Sequence, residues 1–278
     1  MLRWHWRITM AFELALIGAG NMAEAIARGI IKNGVYRADQ LVASDPSLDR
    51  RDYFSQQLGI AALAQSNQAA AMASRILLAV KPQKIEQALA EIHPVLPANA
   101  LVMTIVAAVT TAYIESQLAD KSVRVIRIMP NTPMLVGAGA SGICAGRLAQ
   151  GDDLQLAARI FGSCGVVAEM PETLMDAVTS LSGSGPAYVF YLAEAMAKAG
   201  EKQGLSPDVA AKLARQTIIG AGRLLEQSSD SATELRRKVT SPGGFTEAAI
   251  KSFDAHNLAA LIGLGMDAAL QRGKELSR

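Results

Sequence analysis

LALIGAGNMAEAIA, Leu14 to Ala27, is the stretch that decides the fold of the chain around it. It begins with a short apolar run, the length of a buried strand, and ends with apolar residues at helical spacing. The turn between them has the pattern G-x-G-x-x-A: Gly18 allows a tight turn, Gly20 lets a pyrophosphate approach the backbone, and Ala23 lets the helix pack on the strand. The turn alone is weak evidence, but strand, turn and helix together predict a dinucleotide site at the helix N-terminus.

The next predicted strand, Leu41–Asp45, ends in an acid where a βαβ unit places the carboxylate that reads the ribose. An acid at this position bonds the 2′-hydroxyl of adenosine and favours NAD. Four neighbouring side chains could instead hold the 2′-phosphate of NADP: Ser44, Ser47, Arg50 and Arg51. Asp45 could equally cap the following helix, so the sequence leaves the choice between NAD and NADP open.

Strands alternate with helices as far as Glu169, which predicts a doubly wound parallel sheet of the Rossmann type. The apolar run Ile76–Val80 suits the centre of such a sheet. Two polar loops follow predicted strands at the carboxyl edge, where open α/β sheets bind ligands: Lys81-Pro82-Gln83 and Pro130-Asn131-Thr132-Pro133. Lys81 is either a solvated loop cation or a residue that faces the cofactor.

Amphipathic helices without a convincing strand fill the chain from Pro171 onwards. We therefore predict a dinucleotide-binding Rossmann domain in residues 1–170 and an all-helical domain for substrate binding and dimerisation in residues 171–278. Several of these helices are apolar on more than one face, which self-association would explain. Residues 1–10 are expected to be a disordered or non-native leader, with Met10 as a candidate start.

Composition narrows the class of partner. The chain has 278 residues and a formal net charge of +2, without a dense Lys/Arg stripe, so we expect no nucleic-acid partner. No apolar run reaches the length of a membrane span, so we expect no membrane association. Cys144 and Cys164 fit neither a disulfide framework nor a zinc site. They are predicted to be buried free thiols in a reducing cytoplasm, and no metal is expected.

The sequence offers a dinucleotide site but no strong acid or base beside it. None of the three histidines, His5, His93 and His256, lies in a glycine or proline loop at the ligand edge. Reduction of a ketone calls for a proton donor to the developing alkoxide, whereas an imine can be protonated before hydride arrives. An imine reductase therefore mainly needs to orient its small-molecule substrate against the nicotinamide.

A second glycine turn, Ser241–Thr246, precedes a predicted helix in the helical domain. Its closely spaced backbone N–H groups and two hydroxyls are typical of an anion pocket. The alternative is plain helix capping. Two adjacent glycines after a proline are more than a cap needs, which favours a pocket for a substrate carboxylate.

Five motifs, taken together, resemble those of pyrroline-5-carboxylate reductase: GAGNMAEAI, AVKPQ at 79–83, R-x-MPNTP at 127–133, SGSGPAY at 182–188 and SPGGFT at 241–246. The resemblance covers nearly the whole chain from about Phe12, and the last two motifs are the most specific. It implies hydride transfer from NAD(P)H to the C=N carbon of 1-pyrroline-5-carboxylate, giving L-proline in the last step of proline biosynthesis. It also implies a Rossmann domain and a helical domain that forms a homodimer, often within a decamer.

The resemblance further implies roles for single residues. The pyrophosphate of NADP(H) or NAD(H) would be held by Gly18, Ala19, Gly20, Asn21, Met22 and Ala23. The remaining cofactor contacts would come from Ser44 and Asp45 at the ribose, from Asn67, Ala79, Val80, Lys81 and Pro82 along the cofactor, and from Asn131 and Pro133 beside the nicotinamide. The substrate carboxylate would be held by Ser241, Gly243, Gly244 and Thr246. Thr246, also close to the ring nitrogen, is the catalytic candidate.

Two features depart from the family pattern: the leader before Met10, and Phe245, which stands where many members carry a small residue or threonine. Two other functions fit the sequence less well. A dehydrogenase of 3-hydroxy acids is less favoured, because no lysine or histidine is clearly placed as its acid or base. A non-catalytic dinucleotide sensor is less favoured because it would not need the carboxylate pocket at Ser241–Thr246.

Overall fold

The computed structural model describes residues 11–277. They form two compact units, one of residues 11–183 with 270–277 and the other of residues 184–269. The predicted leader lies outside the described residues, and the domain limits 1–170 and 171–278 stay predictions. Within residues 11–277, no helix combines the length and the hydropathy needed to cross a membrane.

The first unit contains one eight-stranded sheet in the order β3-β2-β1-β4-β5-β6-β7-β8. Its strands are β1 Leu14–Ile17, β2 Leu41–Ser44, β3 Ala61–Leu63, β4 Arg75–Leu78, β5 Leu101–Thr104, β6 Arg124–Met129, β7 Gly139–Ala145 and β8 Gly165–Glu169. The order reverses at β1, which lies between β2 and β4. In an open α/β sheet this switch point is where a dinucleotide binds, so the predicted Rossmann fold is confirmed.

Two strands, β7 and β8, run opposite to β1–β6 and so depart from the predicted parallel sheet. β7 runs antiparallel to β6, with Ile128 opposite Ile143, whereas β8 is again parallel to β7. The segment from Pro130 to Ala138 that joins β6 to β7 holds only a 3₁₀ turn, Thr132–Val136. A parallel return needs a crossover of about a dozen residues or more, usually with a helix, so this short loop forces an antiparallel pair.

Twelve α-helices are described. The helices of the sheet-containing unit and its exit are α1 Asn21–Lys32, α2 Leu48–Leu58, α3 Ser66–Ala70, α4 Ile85–Ile92, α5 Thr111–Gln117, α6 Gly151–Gly162 and α7 Met175–Val178. A π-helical turn, Thr179–Gly183, follows α7. The rest are α8 Gly185–Lys202, α9 Pro207–Gln227, α10 Ala232–Lys238, α11 Phe245–Ala255 and α12 Leu258–Leu276. As predicted, no strand follows β8 in the range that the structure describes.

The central strands of the sheet are buried on both faces. Alternate residues of β1 belong to two apolar layers, Leu14 and Leu16 to one and Ala15 and Ile17 to the other. The first layer includes buried residues of α1, α2 and α6, and the second includes those of α3, α4 and α5. The continuous apolar strands read from the sequence are therefore central strands covered on each side.

The second unit buries little of its own apolar surface. In α9 only small residues, Ala210 and Ala214, are buried. In α8, Phe190 and Tyr191 are 69% and 73% exposed. So large an apolar surface on a single chain is typical of a surface that another protein covers.

Candidate active site

The glycine turn after β1 is fixed by backbone contacts. Gly18 has φ +99°, a conformation that favours glycine. Its N–H donates to the carbonyl oxygen of Ser44 at 2.8 Å, and a Cβ at this position would lie 2.6 Å from the carbonyl oxygen of Ala79. Gly18 therefore closes the turn at the point where β1, β2 and β4 end together.

The N-terminus of α1 is open on the outer side of this turn. Gly20 is the N-cap residue, and no side-chain hydrogen bond caps the helix within the described residues. A Cβ on Gly20 would meet nothing within 4 Å, whereas Ala23, one turn on, is fully buried. Asn21 is exposed and Met22 half-buried. The backbone N–H groups thus border free space that fits a pyrophosphate.

Asp45 is tied to the glycine turn. Its Oδ2 accepts a hydrogen bond from the N–H of Ala19 at 2.9 Å, and its Oδ1 accepts from the N–H of Ser47 at 2.9 Å. The N-cap of α2 is Ser47, whose hydroxyl accepts from the N–H of Arg50. The alternative in which Asp45 caps α2 is therefore wrong, because the chain starts the helix two residues later.

The two arginines that could have met a 2′-phosphate are already engaged. Arg50 donates from Nε to the carbonyl of Ala19 at 2.6 Å, pairs with Glu24 at 2.9 Å and stacks over the ring of Tyr53 at 4.9 Å. Arg51 donates to the carbonyl oxygens of Asp45 at 2.9 Å and of the next residue at 2.8 Å. Arg50 thus stabilises the glycine turn through its bond to the Ala19 carbonyl, and Arg51 stabilises the turn after β2 through its bonds to that turn's carbonyls.

Glu24 is the common hydrogen-bond acceptor of the side chains around this turn. Its carboxylate accepts from the hydroxyl of Tyr53 at 2.6 Å, from Arg50 and from Arg28 at 3.0 Å. Burial raises the pKa of Glu24, but the hydrogen bonds from Tyr53, Arg50 and Arg28 outweigh it and leave the pKa below its ordinary value. The carboxylate therefore stays ionised at neutral pH and holds α2 against the start of α1.

Two buried polar atoms at the adjacent strand ends have no hydrogen-bond partner within residues 11–277: the hydroxyl oxygen of Ser44 and Oδ1 of Asn67. Ser44 ends β2, and Asn67 lies in α3, directly after β3. Buried polar groups in folded proteins are nearly always satisfied, so both atoms call for a polar partner. Together with the open edge at Gly20, they fit a dinucleotide.

The end of β4 supplies the next part of the edge. Ala79 donates its N–H to the carbonyl of Ile17 at 2.8 Å, which joins it to the end of β1. Ala79 and Val80 are half-buried, and Lys81 and Pro82 are exposed. Lys81 is the N-cap of a 3₁₀ turn, Pro82–Lys84. Its exposure leaves both of its predicted alternatives open.

The end of β6 carries the last predicted cofactor residues. Asn131 is only 8% exposed, and its amide donates to the carbonyl of Ser182 at 3.0 Å while its Oδ1 accepts from the N–H of Ala140 at 2.9 Å. Pro133 lies in the 3₁₀ turn that follows. The side chain of Asn131 is thus used to join protein segments.

Below Asn131, a buried ion cluster holds the segment that follows β8. Arg127 of β6 lies 3.2 Å from Glu172 and 3.5 Å from Asp176. Glu172 also accepts from the N–H of Thr111 at 2.8 Å and from its hydroxyl at 2.6 Å. Each charge has a partner, as a buried ion pair requires.

The Ser241–Thr246 turn lies in the second unit. Gly243 has φ +70°, and Gly244 is the N-cap of α11 without a side-chain cap. Thr246 is exposed, and Phe245 is 99% exposed. As with Gly20, the helix N-terminus points its N–H groups away from any capping side chain, which suits an anion.

A carboxylate of the same helix already reaches this turn. Oε2 of Glu247 accepts from the N–H of Gly243 at 3.1 Å and lies 3.0 Å from Nζ of Lys251. The hydrogen bond from Lys251, followed by that from Gly243, lowers the pKa of Glu247. One N–H of the turn, that of Gly243, therefore binds a carboxylate of the local helix, and the pocket for a substrate carboxylate stays a prediction.

Possible metal ligands and cysteine thiols are the other chemical groups to consider in the described range. Residues 11–277 contain no group of three His, Cys, Asp or Glu side chains that could hold a metal ion. Cys144 and Cys164 are buried and free. Burial, followed by the charge of Glu172, raises the pKa of Cys144 to about 12, so this thiol is not a nucleophile at neutral pH.

Comparison with known proteins finds two family matches, one in each half of the chain. The family described as pyrroline-5-carboxylate reductase dimerisation matches residues 172–276, and that described as NADP oxidoreductase, coenzyme F420-dependent, matches residues 13–108. The pyrroline-5-carboxylate reductase of Pseudomonas aeruginosa is 40% identical over 95% of this chain and 97% of its own length. The chain belongs to the pyrroline-5-carboxylate reductase family. The resemblance drawn from the five motifs is confirmed.

Solved structures of pyrroline-5-carboxylate reductases share the whole fold. The enzyme of Coxiella burnetii is 38% identical, with a TM-score of 0.90 over 96% of this chain and 99% of its own. That of Plasmodium falciparum, solved with NADP bound, is 27% identical, with a TM-score of 0.82 over 97% and 100% of the two chains. The combination of a Rossmann sheet and a helical dimerisation region is thus the family's architecture.

The sequence did not reveal the side chains that stabilise the glycine turn at Gly18–Ala23. Glu24 and Arg28 are four residues apart, a spacing that predicts a helical ion pair and was readable. Tyr53 and Arg50 give no such signal, because they approach Glu24 only after α2 packs beside α1. Glu172 and Ser182 are likewise brought to the end of β6 by the fold.

Proposed function

We propose that this chain reduces 1-pyrroline-5-carboxylate to L-proline with NAD(P)H, the last step of proline biosynthesis. Membership of the pyrroline-5-carboxylate reductase family over nearly the full length carries the proposal. The geometry agrees with it, because two separate glycine turns present helix N-termini, one suited to a pyrophosphate and the other to a carboxylate.

The cofactor is NADP(H) or NAD(H), and the first unit would hold it. The residues proposed for it are those of the turn, Gly18, Ala19, Gly20, Asn21, Met22 and Ala23; those of the ribose region, Ser44, Asp45 and Asn67; and those of the later strand ends, Ala79, Val80, Lys81, Pro82, Asn131 and Pro133. The buried side-chain oxygens of Ser44 and Asn67, which have no hydrogen-bond partner within residues 11–277, support a role for these two residues in cofactor binding. When bound, the reduced nicotinamide supplies the hydride.

The substrate carboxylate would bind to Ser241, Gly243, Gly244 and Thr246. The N–H of Gly243 donates a 3.1 Å hydrogen bond to the carboxylate of Glu247, and this supports the proposal because the turn can bind a carboxylate. The substrate nitrogen takes a proton before reaction, so the C=N carbon accepts hydride and the nitrogen keeps its proton as the product amine. Thr246 would orient that nitrogen, which explains why a histidine or a lysine is not needed as acid.

The dimerisation family that matches the helical region supports self-association. We propose a homodimer, with a decamer as the larger assembly, and the exposed aromatic residues of α8 as part of what the dimer covers. Two buried free cysteines support a reducing cytoplasm. The small net charge supports the absence of a nucleic-acid partner, and a membrane partner is not proposed.

The test is oxidation of NADH and NADPH, side by side, with 1-pyrroline-5-carboxylate, followed by absorbance. Saturable turnover with either cofactor is expected, and the ratio of the two kcat/KM values gives the cofactor preference. A 3-hydroxy acid in the reverse direction is the control substrate. Folded protein that binds NADPH but turns over no pyrroline would contradict the proposal.

A further inference from the structure

The carboxamide of Asn131 joins three segments at the carboxyl edge of the sheet. Its Nδ2 donates to the carbonyl of Ser182 in the π-helical turn, and its Oδ1 accepts from the N–H of Ala140 at the start of β7. Only one orientation of the amide satisfies both partners, because one is a carbonyl and the other an N–H. At 8% exposure the side chain has little access to anything else.

The turn that Asn131 holds is packed tightly on the end of β6. A Cβ on Gly183 would lie 2.8 Å from Cε of Met129, the last residue of that strand. The hydroxyl of Ser182 donates back to the carbonyl of Val178 at 3.1 Å. Short π-helical segments are uncommon and occur frequently at functional sites.

The other end of this segment is fixed as well. Asp176 of α7 and Glu172 before it pair with the buried guanidinium of Arg127, at 3.5 and 3.2 Å. The chain from Glu172 to Gly183 is therefore held twice against β6, by an ion cluster near its beginning and by the Asn131 amide near its end. Of the two attachments, only the amide lies at the edge where the strand ends.

We propose that the Asn131 side chain is a positioning group for the reduction: it sets the Ser182–Gly183 peptide as one wall of the nicotinamide pocket and acts through that peptide. This inference rests on the proposed function, and it leaves any contact of residue 131 with the cofactor to its backbone, because both ends of the amide are used by Ser182 and Ala140. Loss of the amide would leave cofactor binding intact, since the glycine turn and the ribose region provide most of it, and would misplace the nicotinamide. Misplacement by about 1 Å can cost about 100-fold in rate.

The decisive variant is Asn131→Asp, which keeps the volume and the acceptor and replaces the donor to Ser182. Asn33→Asp is the control, because the Asn33 amide likewise joins segments of the protein, donating to the carbonyls of Gly29 at 3.1 Å and Ser163 at 2.9 Å. Asn33 follows the C-terminus of α1, so it lies at the opposite edge of the sheet. We expect kcat to fall by about 100-fold in Asn131→Asp, with the NADPH Kd within about threefold of wild type, and no comparable loss in Asn33→Asp.

The pH profile separates positioning from general destabilisation. A buried carboxyl at position 131 takes up a proton as pH falls and regains a donor to Ser182, so the kcat ratio of Asn131→Asp to wild type should rise at lower pH. A loss no greater than in Asn33→Asp, or an NADPH Kd weakened by more than about tenfold, would overturn the inference. If Asn131→Asp does not fold, Asn131→Ala is judged by the same kcat and Kd criteria. Absence of turnover in the wild type contradicts the proposed function instead.

Discussion

Within the described residues, the glycine turns at Gly18–Ala23 and Ser241–Thr246 each begin a helix, and the two are built differently. At Gly18–Ala23 the turn is fixed by the sheet: Gly18 is pressed against Ala79, and Asp45 and Arg50 hold Ala19 from two sides. At Ser241–Thr246 the turn depends on its own helix, with Glu247 as an internal carboxylate. Under the proposed function, an uncapped helix N-terminus would serve a large cofactor at the turn that the sheet fixes, here called the rigid turn. It would serve a small acid at the turn that depends on its own helix, here called the adjustable turn.

The largest expected effect comes from breaking the rigid turn. Gly18→Ala combines a positive φ with a Cβ 2.6 Å from a backbone oxygen, so the turn must open or the sheet must move. We expect a loss of stability of about 3 kcal/mol or more and loss of NADPH binding, measured by thermal unfolding and by fluorescence titration.

Gly34→Ala is the control for that prediction. Gly34 also has a positive φ, +67°, but a Cβ there would meet nothing within 4 Å. Its expected cost is about 1 kcal/mol, with NADPH binding unchanged. Equal costs for the two variants would mean that the contact with Ala79 does not matter.

The second effect tests the adjustable turn. Thr246→Ala should lower kcat/KM for 1-pyrroline-5-carboxylate by about 100-fold, because a hydrogen bond to the reacting group is lost, with fold and NADPH binding kept. Thr217→Ala, which removes another exposed threonine hydroxyl from the same unit, should leave turnover unchanged. Unchanged turnover in Thr246→Ala would remove this residue from the site.

The third prediction concerns selectivity at the rigid turn. Asp45→Asn keeps an oxygen that can accept from Ala19 and removes the negative charge beside a 2′-phosphate. We expect the NADPH-to-NADH ratio of kcat/KM to rise by about tenfold. Asp49→Asn, an exposed acid in the first turn of α2, is the control and should leave the ratio unchanged. A ratio that does not change in Asp45→Asn would show that Asp45 only braces the turn.

The smallest effect should come from the internal carboxylate. The hydrogen bonds from Lys251 and Gly243 lower the pKa of Glu247, so it is ionised at neutral pH. In the proposed site it would compete with a substrate carboxylate for the N–H of Gly243. Because the folded-state pKa is depressed, this interaction is present above the ordinary pKa of a glutamate and is lost only as pH falls through the lower value. Glu247→Gln should therefore lower the KM for the pyrroline by about threefold at neutral pH.

Glu234→Gln is the control for charge alone, since Glu234 also pairs with a basic residue of its own helix, Arg237. Its KM should stay at the wild-type value. A higher KM in Glu247→Gln would mean that the internal carboxylate shapes the turn for substrate and does not compete with it.

The sequence by itself determined the local pieces. Glycine spacing after an apolar run specified the strand, turn and helix from Leu14 onwards, because a tight turn and an open helix N-terminus depend on neighbouring residues. The motif order from GAGNMAEAI to SPGGFT was sufficient to indicate the family. The all-helical character after Pro171 was also readable, since helical periodicity is a local signal.

Only the tertiary structure decided how the pieces meet. It turned β7 against β6, because the loop after Met129 is too short for a crossover. It placed the cap of α2 at Ser47, leaving Asp45 to bond the glycine turn, and it used the Asn131 amide to join Ala140 and Ser182. The bonds from Asp45 to Ala19 and from Asn131 to Ser182 join groups 26 and 51 residues apart, which become neighbours only when the strands align, and a pattern read along the chain carries no record of such pairs.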